Sequence, residues 1–168
     1  MNLIPRLKFL LIIPFFALLF ACDEDPCQGK SCDNGICDTV SGDCLCSKGY
    51  QTDADGICTV MWTTKFVKSY TASDSCYGAN TGLLSYPLTI SSTNAYTLSL
   101  DNLNNRGQAI TAVHTSSTTF AISKSFANGE VCIGTGSLSP IDSMVRIEYI
   151  IGDTTMVSSL DTCFAILN

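Results

Sequence analysis

Val145-Arg146-Ile147-Glu148-Tyr149-Ile150-Ile151 is the stretch that decides how this chain folds. Val145, Ile147, Tyr149 and Ile151 alternate with Arg146, Glu148 and Ile150. Successive side chains of an extended strand point to opposite faces, so this run lays an apolar row against a core and turns both charges to water. The same period recurs on both sides of it. Leu84, Tyr86, Leu88 and Ile90 alternate with Ser85, Pro87, Thr89 and Ser91, and Tyr96, Leu98 and Leu100 alternate with Thr97 and Ser99. Met156, Ser158, Leu160, Thr162, Phe164 and Ile166 share a last long face. Trp62 to Tyr70, Gln108 to His114, Thr118 to Ile122 and Val131 to Leu138 are further strand candidates, and no stretch of comparable length has helical spacing.

Turn residues separate these runs: Ser92-Thr93-Asn94, Asn104-Asn105-Arg106-Gly107, Ser139-Pro140 and Ile151-Gly152-Asp153. Asn128-Gly129 between Phe126 and Val131 has the chemistry of a tight hairpin. The expected fold is therefore mainly β: an antiparallel β-barrel or β-sandwich of about eight strands over residues 59–168. Meander spacing favours the barrel, which leaves no free edge. The pattern looks like the small lipocalin-like domains of bacterial surface lipoproteins, a resemblance of pattern without a diagnostic motif.

Three cysteines fall in this region, Cys76, Cys132 and Cys163. In a closed meander the first and last strands are neighbours, so Cys76–Cys163 is the expected bond. Cys132, within Val131-Cys132-Ile133, is expected to be a buried free thiol. Cys76–Cys132 and Cys132–Cys163 are the alternatives.

Upstream the composition changes. Cys27, Cys32, Cys37, Cys44, Cys46 and Cys58 crowd into a segment too short for a hydrophobic core, so it needs covalent staples. In an exported chain they imply three disulfides, and spacing alone leaves the connectivity open. The single residue between Cys44 and Cys46, the following Gly49-Tyr50, and Asp33-Asn34-Gly35 before the third cysteine resemble an EGF-like domain over residues 27–58. That resemblance implies the pairs Cys27–Cys37, Cys32–Cys44 and Cys46–Cys58, with Tyr50 packed over them. Paired C-x2-C units, the usual mark of zinc, are absent. Asp23, Asp25 and Asp38 roughly occupy the places of ligands in calcium-binding members, but Pro26 replaces the usual Glu or Gln and the loop to Asp43 is short. Solvated carboxylates are the expectation, and no metal or cofactor is expected.

The chain begins with Arg6 and Lys8, then runs from Phe9 to Phe20 without a charge. About 12 apolar residues reach only ~18 Å as a helix, short of a ~30 Å hydrocarbon core. The segment reads as a signal peptide over 1–21 rather than an anchor. Leu19-Phe20-Ala21-Cys22 resembles a bacterial lipobox, which implies cleavage before Cys22 and a lipidated Cys22 on an acidic tether, residues 22–26. Asp23-Glu24-Asp25 after such a cysteine resembles a signal that routes lipoproteins to the outer face of the outer membrane in some Gram-negative bacteria, while Asp directly after the cysteine favours inner-membrane retention in others. With an EGF-like module following, the outer membrane at the cell surface is the expected place.

Loss of Arg6 and Lys8 takes the net charge from −6 to −8. Nucleic acid is thereby disfavoured, since its recognition needs basic patches. Catalytic signals are weak. His114 is the one histidine, no serine lies in a Gly-x-Ser-x-Gly elbow, Gly134-Thr135-Gly136-Ser137 precedes no helix, and Asp153 and Asp161 would pair only by accident of folding. Trp62, Phe66, Tyr70, Tyr77, Tyr86 and Tyr96 offer either core or a face for sugar rings and apolar ligands. Asp38-Thr39-Val40, Asp142-Ser143-Met144 and Asp153-Thr154-Thr155 resemble bacterial O-glycosylation sites. The expected function is a non-catalytic, membrane-anchored protein that binds an extracellular protein or glycan. The alternatives are a lipocalin-like carrier with a hollow lined by Tyr96, Leu98, Val145 and Ile147, or a small hydrolase built on His114.

Overall fold

In the computed structural model, residues 25–155 and 159–168 are described. The expected signal peptide, Cys22, Asp23, and Met156 and Ser158 of the last expected strand lie outside them.

Eight antiparallel strands close into a barrel: β5 (Lys68–Gly78), β6 (Gly82–Asn94), β7 (Thr97–Asp101), β8 (Ala109–His114), β9 (Thr119–Ser125), β10 (Glu130–Leu138), β11 (Val145–Asp153) and β12 (Asp161–Leu167). Each pairs with its neighbour in sequence, and β12 returns to pair with β5. Four short strands precede them: β1 (Gly35–Cys37) with β2 (Cys44–Cys46), and β3 (Tyr50–Gln51) with β4 (Val60–Met61). The protein is thus a closed eight-stranded barrel behind a disulfide-rich segment, and the choice between barrel and sandwich falls to the barrel.

Alternation builds the barrel wall. Val145, Ile147, Tyr149 and Ile151 all point inward and are buried, with Arg146, Glu148 and Ile150 outside. Tyr86, Leu88, Ile90, Leu98, Leu100, Ile110, Ala112, Phe120 and Ile122 complete most of the lumen. The hairpin at Asn128-Gly129 forms as its chemistry dictates: Gly129 sits at φ 86°, and Phe126 and Glu130 are joined by a 2.8 Å main-chain bond.

Two strands depart from the sequence expectation. The last one buries Asp161, Cys163, Ala165 and Leu167, while Phe164 and Ile166 face outward. The β12–β5 register sets Cys163 opposite Cys76 on the inner face, and one residue of slip would exchange the faces. The first barrel strand is not Trp62 to Tyr70. Trp62–Lys65 is a 3₁₀ turn, and the strand runs from Lys68 to Gly78. Its inward row, Tyr70, Ala72, Asp74 and Cys76, is too small and polar to announce itself by hydrophobicity.

Four disulfides are formed: Cys27–Cys37, Cys32–Cys44, Cys46–Cys58 and Cys76–Cys163. Tyr50 packs against the cysteine cluster of the small segment. That segment docks on one end of the barrel. Trp62 donates its main-chain N–H to the Gly49 carbonyl and its indole N–H to the Tyr50 carbonyl, each at 2.8 Å. Lys48 lies over the Tyr96 ring, 5.1 Å from its centre. We call this end proximal and the opposite one distal.

Candidate functional site

The lumen is filled. Leu88, Leu98, Leu100, Ile110, Ala112, Phe120, Val145 and Leu167 each expose none of their surface, so no water-sized void adjoins them. This suits an eight-stranded barrel, whose interior side chains are just able to fill. Of the residues expected around a hollow, Leu98, Val145 and Ile147 are in this packed core. Tyr96 is not; it is 38% exposed in the proximal β6–β7 turn. Two glycines make the filling possible. A Cβ on Gly136 would fall within the Phe120 ring, and one on Gly134 would collide with the Glu148 carbonyl oxygen and with Cα and Cβ of Tyr149 on the paired strand. Gly136 is therefore a spacer for an aromatic ring, and Gly134 permits the close approach of the β11 backbone.

The proximal end is plugged by an aromatic cage. His114 is buried, with the Phe66 ring 4.9 Å away and the Trp62 and Phe120 rings each at 6.2 Å. Nδ1 lies 2.9 Å from the Ser116 carbonyl and 3.1 Å from that of Thr119. Carbonyls only accept, so Nδ1 carries the proton. Nε2 is buried without a partner, as is the Thr63 hydroxyl on the adjoining turn. Among the described residues, neither a serine hydroxyl nor a carboxylate bonds the ring. Burial pushes the His114 pKa down, the carbonyl bonds partly oppose it, and Lys65 adds to the lowering.

The distal end holds a polar knot. Asp74 is buried on the inner face of β5 and accepts from the Tyr86 hydroxyl at 2.9 Å, from the Tyr149 hydroxyl, and from the Asn104 amide at 3.4 Å. Asn104 also donates to the Tyr149 hydroxyl at 3.0 Å, and its main-chain N–H donates to the Tyr86 hydroxyl at 2.7 Å. Asn102, Asn104 and Asn105 take left-handed φ values of 78°, 58° and 54°, which carry Asn104 down over the barrel end. Burial, followed by the nearby Asp74, keeps both phenols protonated beyond the usual tyrosine range. Asp74 lies beside Cys76 and Cys163, but the disulfide removes both thiolates as metal ligands. Cys132 is the free thiol of the described residues, buried, its pKa pushed up to about 11 by burial.

Two recesses lie near this end. A cup of about 500 Å³ is bordered by Asn80, Thr81, Leu84, Asn104, Arg106 and Asp161. Asp161 is 6% exposed and accepts from the Asn80 main-chain N–H at 2.7 Å and its amide at 2.9 Å. Arg106 pairs with Glu130 and lies over the Phe126 ring. On the outer wall, β12, β5 and β6 form a groove of about 680 Å³ between Tyr77, Leu83, Leu84, Phe164 and Ile166, with Ser73, Ser75 and Ser85 along it. Leu83 is 84% exposed, Tyr77 60% and Phe164 43%.

The aromatic residues singled out in the sequence do not share one face. Trp62 and Phe66 plug the proximal end, Tyr70 and Tyr86 are buried, Tyr96 meets Lys48, and Tyr77 alone joins the groove. Asp153 accepts from Thr155 and Asp161 from Asn80, so the two carboxylates serve separate turns. Asp38 accepts from Val40 and Ser41, and Asp25 from the Cys27 N–H. Thr39, Ser143 and Thr154 are exposed. The period-two pattern places Phe164 and Ile166 on the core face and so hides the groove; Cys163 on the alternate face of the same strand is the sequence signal for the opposite orientation.

No family model matches the chain, and no curated protein matches it. Two solved β-barrels are similar in outline. One is EF1p2_mFAP2b bound to DFHBI, with a TM-score of 0.46 and 9% identity over 62% of this chain and 93% of that one. The other is a redesigned beta barrel, b11L5F_LGL, with a TM-score of 0.44 and 9% identity over 63% and 92%. At this distance neither says what the present chain binds.

Proposed function

We propose that this chain is an exported, non-catalytic binding protein, held at the outer face of a Gram-negative outer membrane by lipid on Cys22, with the disulfide-rich segment as an EGF-like spacer. The observation that carries the binding role is the groove. Large apolar side chains left open on an outer wall mark interaction sites rather than stability, because burying each would be favourable. Since the lumen is filled, the ligand lies on the wall and not inside. The spacer docks at the proximal end, so a chain anchored through its N-terminus holds the groove's upper part and the cup away from the membrane.

Two measurements test this reading. Cys22→Ser is expected to release the protein from membranes, and continued membrane fractionation would refute lipidation. Protease applied to intact cells is expected to cut it, and full protection would place it inside instead. For the site, the protein is screened against extracellular proteins, glycans and small apolar molecules. Leu83→Asp and Phe164→Asp, both exposed, are expected to abolish whatever binding is found, whereas unchanged binding in both variants would remove the groove from the function.

A further inference from the structure

The groove and the cup meet. Leu84 borders both, where the wall of β6 turns over the distal rim. One surface therefore runs from aliphatic and aromatic walls to a recess lined by amide, hydroxyl, guanidinium and carboxylate groups. We propose that groove and cup are a single site for a single-chain amphiphile with an uncharged, hydroxyl-bearing head. The inference rests on the reading above that the groove binds a ligand.

The walls select the tail. Leu83, Leu84 and Ile166 are aliphatic, and only Tyr77 and Phe164 are aromatic, which fits a methylene chain better than a stack of sugar rings. The volume falls within the roughly 300–1,000 Å³ of small-molecule clefts. The cup selects the head. Arg106 is engaged by Glu130, so its charge is matched within the protein. The carboxylate of Asp161 is left as the unmatched charge on the cup's border, and each of its oxygens takes one N–H from Asn80. A carboxylate oxygen has room for a second donor. Head hydroxyls supply such donors and accept in return from the cup's amides, while an anionic head would face Asp161 and be repelled. Asp161 is held in place by Asn80 and is nearly buried, so this acceptor is positioned before any ligand arrives.

The test uses the mature chain, residues 22–168, carrying Cys22→Ser, so that neither lipid, apolar leader nor detergent competes for the groove. Titration calorimetry compares 1-monolauroylglycerol, laurate and glycerol, each below its micelle concentration. Saturable one-to-one binding is expected for monolauroylglycerol, none for glycerol, and at least about tenfold weaker binding for laurate, which shares the tail but carries charge at the head. Phe164→Asp, outside the barrel, is expected to remove the binding, and Asp161→Asn to narrow the gap between the two lauroyl probes. Absence of saturable binding, equal affinity for laurate, or binding indifferent to Phe164→Asp would each overturn the proposal. If a different ligand from the screen is lost in the groove variants while monolauroylglycerol does not bind, the amphiphile fails and the groove's binding role stands.

Discussion

At the scale of single residues, the two barrel ends treat buried polarity in opposite ways. Asp74 is surrounded by donors, two phenols and one amide, so removing it would leave several polar groups without partners. His114 has one nitrogen satisfied and one stranded among rings. Folding lowers its pKa, so below the ordinary value of 6.5 the unfolded chain takes up a proton that the folded chain resists. Stability is unaffected by this group well above that pH and falls as pH drops through it. Urea midpoints measured at about pH 7.5 and about pH 5.5, either side of the ordinary histidine pKa, are expected to fall in the native protein and to fall less in His114→Asn, which keeps a donor for the Ser116 and Thr119 carbonyls. Equal losses in both would mean that other groups set the acid sensitivity. None of this was written in the sequence around His114, because its cage is assembled from Trp62 and Phe66 on a turn and Phe120 on another strand.

At the scale of elements, alternation identified most strands and failed where the inner face is not the apolar one. In β12 the larger apolar side chains, Phe164 and Ile166, stand outside while Cys163 and Ala165 go in. In β5 a serine-rich strand hides a buried carboxylate and a disulfide. In β12 the small side chains go in and the large ones turn to the surface, where they wall the groove; in β5 Tyr70 goes in, serines line the outer face, and Tyr77 joins the groove at the strand's end. In β10, Gly136 makes room for Phe120, so Gly136→Ala is expected to destabilise by about 1–3 kcal/mol through overpacking. Combining it with Phe120→Leu is expected to lose less than the sum of the two single losses, measured by denaturant unfolding. Strict additivity would show that the ring and the glycine do not share the space.

At the scale of the whole molecule, closure depends on β5 and β12, the first and last barrel strands, finding each other across a sequence separation of 87 residues at Cys76–Cys163. Cross-linking a loop that long restricts the unfolded chain, an effect of about 2–5 kcal/mol. Cys76→Ser with Cys163→Ser is expected to lose stability in that range while the barrel's strand content by circular dichroism persists, since the apolar core on β6 to β9 and on β11 is untouched. Loss of the barrel signal itself would make the bond a requirement for closure. The sequence by itself determined the mainly β class, the meander order and the disulfide-rich character of the N-terminal segment, because period-two patterning, turn residues and cysteine density are local. Only the tertiary structure decided that the eight strands close on a filled lumen, which faces of β5 and β12 go inside, and that an open apolar groove meets a polar cup at the distal rim. Those follow from register and from the volume available across the barrel, which no stretch of chain carries alone.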